Sequence, residues 1–318
     1  MSTDTAQDAK NQALSTTREE TETIIDVTEV FKIYKTESIE VVALRGLDLS
    51  VKRGEIISIM GPSGCGKSTM LNIIGALDTP SAGKIRVLGQ DLTSMDSDAQ
   101  IEFRRKHIGF VFQFFNLVPT LTAIENIELP LRLVNTPHEK MRKKVTEVLN
   151  LVGMEKRGNH RPDELSGGEQ QRIAIAAALA NDPEIILADE PTGELDSESG
   201  QKVLDLLKYL NEDQGKTIII VTHDPRSATI SHRSFRIEDG QIKGEYTREM
   251  YLQDGSGGGE GDDLGDGSGG GPGMRPGGGI DPLRYKKMIE NMVDKKRRME
   301  ELLKEIINME DEMINGWK

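Results

Sequence analysis

Hydrophobic residues along the chain come in short runs of strand length, separated by segments with helical spacing. Three of these runs, "GEIISIM" (54–60), "EIILADEP" (184–191) and "TIIIVTHD" (217–224), are rich in isoleucine. Uninterrupted apolar runs of this length are typical of strands that are buried on both faces of a parallel sheet. Their alternation with helical segments over residues 24–251 predicts an α/β domain with a largely parallel core.

The composition changes on both sides of this domain. Residues 1–23 are polar and lack the apolar core of a secretory signal, which predicts a disordered N-terminal arm. Segment 255–279 is more than half glycine, so residues 252–279 are predicted to form a flexible linker with a span of roughly 25 to 30 Å. Residues 280–318 have helix formers and apolar positions near heptad spacing. They predict a C-terminal amphipathic helix that pairs with itself or with a further partner.

Composition and charge narrow the classes of function. The 318-residue chain is 36% hydrophobic and has a formal net charge of −13, which argues against nucleic-acid binding through a broad basic face. No apolar run approaches the roughly 18 to 20 residues that cross a bilayer, so work at a membrane would need another chain to span it. The single cysteine, Cys65, excludes an internal disulfide and fits the reducing cytoplasm.

A glycine-rich loop, "GPSGCGKST" (61–69), follows the first of these strands and leads into a helical run. Its glycines allow backbone amides to face phosphate groups, and the start of the helix adds a favourable dipole. Lys67 is expected to reach the β- and γ-phosphates of ATP, and the Ser68 hydroxyl is expected to bind Mg²⁺. Cys65 is interpreted as a small tolerated residue, and the alternative is a thiol whose oxidation blocks ATP. The predicted cofactor-binding residues here are Gly61, Pro62, Ser63, Gly64, Cys65, Gly66, Lys67, Ser68 and Thr69.

Two carboxylates and a histidine end the other two isoleucine-rich runs. Asp189 and Glu190 close "EIILADEP", and His223 closes "TIIIVTHD". Asp189 is expected to organise the Mg²⁺ shell, and Glu190 to accept a hydrogen bond from the attacking water. His223 should lie at the same sheet edge and contact the γ-phosphate. The alternatives are a solvated acidic turn and a structural histidine.

A second glycine loop, "LSGGEQQR" (165–172), also opens a helix and has the geometry to hold an anion. The set "GPSGCGKST", "LSGGEQQR", "ILADEP" and "VTHD", in this order, resembles the nucleotide-binding subunits of ABC transporters over about residues 24–251. The resemblance implies a P-loop NTPase fold with a RecA-like core and an antiparallel β subdomain. It also implies an α-helical signature subdomain at about residues 115–175.

The resemblance further implies a homodimer in which two subunits enclose two ATP molecules head to tail. Ser166, Gly167 and Gly168 of one subunit would cap the ATP that the other subunit holds in its phosphate loop. Gln113, in "FVFQFFNLVP", matches a glutamine that contacts Mg²⁺ and the attacking water. Asp196, in "GELDSE", matches an aspartate that links the two sites.

One further position has two possible roles, and two positions depart from the family. Tyr34, in "FKIYKT", is either an aromatic residue that stacks on adenine or an ordinary strand residue. Ala177 stands where the family usually has arginine. Glu194 stands where asparagine or another residue is more common, and neither departure removes a catalytic group.

The motif contexts most resemble the branch that serves lipoprotein release, macrolide export and bacitracin-type peptide export. This branch implies an ATP hydrolase at the inner face of the membrane that drives a separate permease with a large extracytoplasmic domain. The alternative is a soluble ABC ATPase that acts on DNA or ribosomes. The single ATPase domain and the short segment between the two glycine loops argue against that alternative.

Overall fold

The computed structural model describes residues 22–35 and 40–248. The predicted linker at 252–279 and the predicted helix at 280–318 lie outside these residues, as does the predicted arm as far as residue 21. The first strand begins at Thr23, the last residue assigned to the arm. Within the described residues, no helix is long and apolar enough to cross a membrane.

A six-stranded sheet lies at the centre of the fold. It consists of β3 (Ile56–Met60), β6 (Ile108–Val111), β7 (Ile185–Asp189), β8 (Thr217–Thr222), β9 (Arg233–Glu238) and β10 (Gln241–Thr247), in the order β10-β9-β3-β8-β7-β6. All neighbours are parallel except β10 and β9. Every residue of β8 is buried, as the isoleucine-rich runs predict. Because β3, β7 and β8 are parallel neighbours, the residues that follow them meet at one edge of the sheet.

A second, four-stranded antiparallel sheet shares a hydrophobic core with the first. Its strands are β1 (Thr23–Lys35), β2 (Glu40–Lys52), β4 (Ala82–Val87) and β5 (Gln90–Asp91), in the order β2-β1-β4-β5. The shared core joins apolar side chains of β1 and β2, such as Val27 and Leu44, to Ile57 and Ile59 of β3. Tyr34 lies near the end of β1, on the sheet that shares this core.

Helices cover the large sheet and form a second core on its other side. Within the described residues they are α1 (Lys67–Ile74), α2 (Ser97–His107), α3 (Ala123–Leu133), α4 (His138–Leu151), α5 (Gly167–Leu179), α6 (Ser197–Glu212) and α7 (Arg226–Ile230), with 3₁₀ turns at Leu92–Ser94, Glu155–Arg157 and Pro162–Glu164. The second core lies between α3, α4, α5 and α6 and the underside of β7 and β8. Thr122 and Glu125 form a reciprocal capping box that starts α3.

The buried side chain of Asn211, in α6, holds the beginnings of two central strands. Its Nδ2 donates to the carbonyl oxygens of Gly54, at 2.8 Å, and Lys216, at 2.7 Å. These carbonyls lie just before β3 and β8, and Asn211 is only 6% exposed. One amide therefore satisfies two backbone acceptors where water has little access.

We expect Asn211→Ala to lower the free energy of unfolding by about 1 to 3 kcal/mol, because two buried carbonyls lose their donor. Urea denaturation followed by circular dichroism measures this change. Lys208→Ala in the same helix is the control, since it removes only an exposed ion pair at 3.7 Å to Glu212 and should cost less than about 1 kcal/mol. Equal losses in the two variants would show that Asn211 does not brace the strands.

Candidate functional site

The phosphate loop lies between β3 and α1, as the sequence predicted. Gly66, the last residue before α1, has a left-handed backbone with φ 104°. A methyl group at this position would lie 2.5 Å from the carbonyl oxygen of Ala43. Only glycine fits this conformation and this close approach. The Lys67 amine is buried and donates to the carbonyl oxygens of Gly61, at 2.8 Å, and Pro62, at 3.1 Å. The loop therefore folds around the amine that is expected to reach the phosphates.

Ser68 and Asp189 lie together at the end of β7. The Ser68 hydroxyl donates to Asp189 Oδ1 at 3.1 Å, although 121 residues separate the two in sequence. Burial raises the pKa of the Asp189 carboxyl above its usual value, and the neighbouring charge of Glu190 adds to this effect. The hydroxyl of Ser68 and the ammonium of Lys67 partly oppose the rise. A half-buried carboxylate beside a hydroxyl supplies the oxygen donors that Mg²⁺ prefers.

Glu190 and His223 form a pair at the same edge of the sheet. The distance from His223 Nδ1 to Glu190 Oε2 is 2.9 Å, and the His223 backbone amide donates to the same oxygen at 3.2 Å. Glu190 has a left-handed backbone, at φ 49°, and its amide donates to the carbonyl oxygen of Val221. Strained backbone of this kind persists where surrounding contacts enforce it, often at functional sites. The histidine side chain is 72% exposed and the glutamate side chain 15% exposed. His223 is therefore open to solvent, whereas Glu190 is mostly enclosed by the protein.

Gln113 contacts the loop that follows Glu190. Its Nε2 donates to Glu194 Oε1 at 2.9 Å, and a methyl group on Gly193 would lie 3.3 Å from the same nitrogen. Glu194 is one of the two departures from the family pattern, and the sequence assigned it no role. The structure pairs it with the predicted site glutamine, 81 residues away.

Tyr34 lies beside the phosphate loop, near the start of α1. Its hydroxyl donates to Asp78 Oδ2 at 2.7 Å, and the Lys32 amine lies 4.8 Å from the ring centroid. Burial raises the pKa of the Tyr34 hydroxyl, the hydrogen bond to Asp78 adds to the rise, and a hydrogen bond with Thr69 opposes it. The ring is still 40% exposed. Both the position and the exposure suit an adenine contact.

The second glycine loop, Leu165–Gly168, is called the signature loop from here on. The Ser166 hydroxyl oxygen caps α5 by accepting from the Glu169 amide, and the Glu169 carboxylate accepts from the Ser166 amide. Asp196 caps α6 in the same way, by accepting from the amides of Glu198 and Ser199. Among the described residues, the hydrogen bonds of Ser166 and Asp196 remain within their own helix starts. The structure does not join either residue to the phosphate loop of its own subunit.

Sequence reasoning missed one charged pair in this region. Asp224 and Arg226 form an ion pair at 2.7 Å directly after His223. The signal was a carboxylate and a guanidinium on either side of Pro225, which turns the chain so that the two side chains meet.

This chain is similar in sequence and fold to known ATP-binding proteins. The family model described as ABC transporter matches residues 44–193. An uncharacterised ABC transporter ATP-binding protein of Methanocaldococcus jannaschii, MJ0796, is 50% identical over 226 residues, which are 70% of this chain and 96% of that protein. The macrolide export ATP-binding/permease protein MacB of Brucella abortus is 44% identical over 225 residues, 71% of this chain and 35% of MacB. A solved dimeric structure of MJ0796 in a post-hydrolysis state, bound to ADP and Pi, has a TM-score of 0.66 and 47% identity, and covers 71% of this chain and 99% of that chain.

The match to MJ0796 spans 226 residues at 50% identity and is longer than the family match at residues 44–193. The predicted P-loop NTPase fold is confirmed, with its parallel core, antiparallel sheet and helical layer. The chain belongs to the ABC transporter family and is one of its ATP-binding, ATP-hydrolysing subunits.

Proposed function

We propose that two copies of this chain close head to tail around two ATP molecules and drive a membrane permease. In each site the phosphate loop of one subunit holds ATP, and Ser166, Gly167 and Gly168 of the other subunit contact the γ-phosphate. Glu190 accepts a hydrogen bond from the attacking water and then takes its proton. His223 contacts the γ-phosphate. The observation that carries this proposal is the Glu190–His223 pair at the edge of the sheet that also carries Ser68 and Asp189.

The need for a second subunit follows from where the two glycine loops lie. Both begin helices, and one helix N-terminus stabilises an anion by only about 0.3 to 2 kcal/mol. Two loops that contact one ATP from opposite subunits add their contributions, and closure of the dimer then depends on ATP. The solved structure of MJ0796 is itself described as dimeric and bound to ADP and Pi, which supports this arrangement. Asp196 lies at the start of α6, next to the signature loop, and links the two sites.

The donors near Ser68 fit Mg²⁺. The Ser68 hydroxyl lies 3.1 Å from Asp189 Oδ1, and these two groups would hold the ion together with the amide oxygen of Gln113. When bound there, the ion neutralises charge that develops on the phosphate oxygens. Glu194 holds Gln113 by its Nε2, which leaves the amide oxygen of Gln113 available.

A cavity of 330 Å³, lined in part by Phe112 beside Gln113 in the sequence, is the proposed contact for the permease. Leu133, which lines it, is 56% exposed. The relative MacB is described as an ATP-binding/permease protein, and we infer a permease of that kind, with a large extracytoplasmic domain. The subunit would then lie at the inner face of the membrane. The apolar lining of the cavity includes Leu77, Phe110, Phe112, Phe115, Leu129 and Leu133.

A pull-down tests the permease assignment. Tagged full-length Glu190→Gln protein, with Mg-ATP, should retain a large-ectodomain permease from detergent-solubilised native membranes, identified by mass spectrometry. Adding Leu133→Glu should abolish this retention, because a carboxylate enters the largely apolar lining of the cavity. Adding Tyr209→Glu should not, since Tyr209 is an exposed residue of α6.

The alternative is a soluble ABC ATPase that acts on DNA or ribosomes. The named relatives are transporter proteins, so this alternative is not favoured. Recovery of ribosomal or DNA-repair proteins without any permease would contradict the proposal and support the alternative.

A further inference from the structure

The ion pair that follows His223 is tied to the loop between Glu190 and Asp196, called the 190–196 loop. Two nitrogens of the Arg226 guanidinium donate to the Asp224 carboxylate, Nε to Oδ1 at 3.0 Å and Nη2 to Oδ2 at 2.7 Å. Thr192, in the middle of the 190–196 loop, donates to the same Asp224 carboxylate at 3.0 Å. Burial opposes ionisation of Asp224, but the hydrogen bonds from Arg226 and Thr192 outweigh it and lower the pKa of that carboxyl. The pair is therefore ionised and firmly bonded at neutral pH.

Arg226 also reaches the first turn of α6, directly after the 190–196 loop. Its third nitrogen, Nη1, donates to the carbonyl oxygen of Ser197 at 2.8 Å. The guanidinium lies against Gly200, where a methyl group would be 2.9 Å from Nη2. A planar guanidinium can make these contacts at once because its donors point in fixed directions.

The first turn of α6 in turn touches the signature loop and its helix. A methyl group on Gly168 would lie 2.8 Å from the Ser199 side chain, and one on Gly167 would lie 3.4 Å from Leu195. The 190–196 loop and the signature loop thus pack directly against each other. Contacts this close leave little room for one loop to move without the other.

The Glu190–His223 pair of the same subunit is held by bonds that do not involve Arg226. His223 is held by two contacts to Glu190 Oε2, at 2.9 Å and 3.2 Å. Glu190 is held by its own amide bond to the carbonyl oxygen of Val221. Loss of Arg226 removes none of these bonds.

We propose that Arg226 is a positioning residue that holds the 190–196 loop and the signature loop together, so that both are presented as one unit to the ATP of the partner subunit. The proposal rests on the head-to-tail dimer proposed above. It assigns Arg226 an effect on the site across the interface, through Ser197, Gly200 and Asp224, and a much smaller effect on the site that its own phosphate loop forms.

The test uses two inactive subunits that restore one working site when mixed. Lys67→Ala destroys the phosphate loop, and Gly167→Asp places a carboxylate where the signature loop meets phosphate. Their mixed dimer has one intact site, built from the phosphate loop of the Gly167→Asp subunit and the signature loop of the Lys67→Ala subunit. Arg226→Met is then added to either subunit, and ATP hydrolysis by the full-length mixture is measured.

We expect Arg226→Met in the Lys67→Ala subunit to lower the recovered rate about tenfold or more, since small displacements of contacting groups cost large factors in rate. The same change in the Gly167→Asp subunit should lower it less than about threefold. A folding defect would lower the rate in both placements, so the two mixtures control for each other. Equal losses, or no loss in either placement, would overturn the role of Arg226.

The parent mixture separates failure of this inference from failure of the dimer. If Lys67→Ala and Gly167→Asp recover no activity together, the head-to-tail arrangement itself is wrong, and the role of Arg226 across the interface is wrong with it. If the parent mixture is active and the two placements do not differ, only the inference about Arg226 fails.

Discussion

Glu190→Gln should lower ATP hydrolysis by about 10²- to 10⁴-fold, the usual contribution of a general base, and should trap an ATP-bound dimer. A glutamine has nearly the same shape as glutamate but cannot take a proton from water. Its amide oxygen can still accept from the His223 backbone amide, which now bonds Glu190 Oε2 at 3.2 Å. Nucleotide contacts from the phosphate loop and the signature loop are unchanged, so binding continues while hydrolysis stops.

Two measurements check this outcome. Phosphate release gives the rate, and size-exclusion chromatography with Mg-ATP gives the fraction of dimer. Glu212→Gln, at the far end of α6 on an exposed ion pair, is the matched control and should retain the normal rate and no trapped dimer. A Glu190→Gln protein that stays monomeric with Mg-ATP, or that hydrolyses ATP within tenfold of the normal rate, would remove Glu190 from its proposed role.

The central sheet and the residues at its edge were predictable because their signals are local. An isoleucine-rich run that ends in Asp189 and Glu190 specifies both a buried strand and the place where its side chains emerge. His223 follows the neighbouring strand, and parallel pairing brings it to the same edge. Sequence therefore indicated both the fold and the approximate position of each group.

Contacts between distant segments were not predictable in the same way. Gln113 and Glu194 are 81 residues apart, and Tyr34 and Asp78 are 44 residues apart. No spacing rule connects such pairs, because their meeting depends on how helices and strands pack in three dimensions. Arg226 is the clearest example, since its bonds to Asp224 are local but its contact with Ser197 requires the packing of α7 against α6.

The proposed head-to-tail dimer makes a second strong prediction. Lys67→Ala and Gly167→Asp should each abolish hydrolysis alone, and a mixture of the two proteins should regain it. Lys67→Ala removes an ammonium that is buried within the phosphate loop. Gly167→Asp leaves the fold intact, because the nearest atom to a methyl group there is 3.4 Å away and an acidic residue in the first turn of a helix is favourable. Its carboxylate nevertheless repels the phosphate that approaches from the partner.

Random pairing decides how much activity returns. In an equal mixture about half of the dimers contain one subunit of each kind, and each has one intact site of two, so the mixture should regain up to about a quarter of the normal rate. Phosphate release from the separate proteins and from the mixture measures this directly. If each subunit completed its own site, both variants would stay inactive after mixing, since every chain would carry a damaged loop. Recovery on mixing therefore requires that the signature loop of one subunit and the phosphate loop of the other form one ATP site.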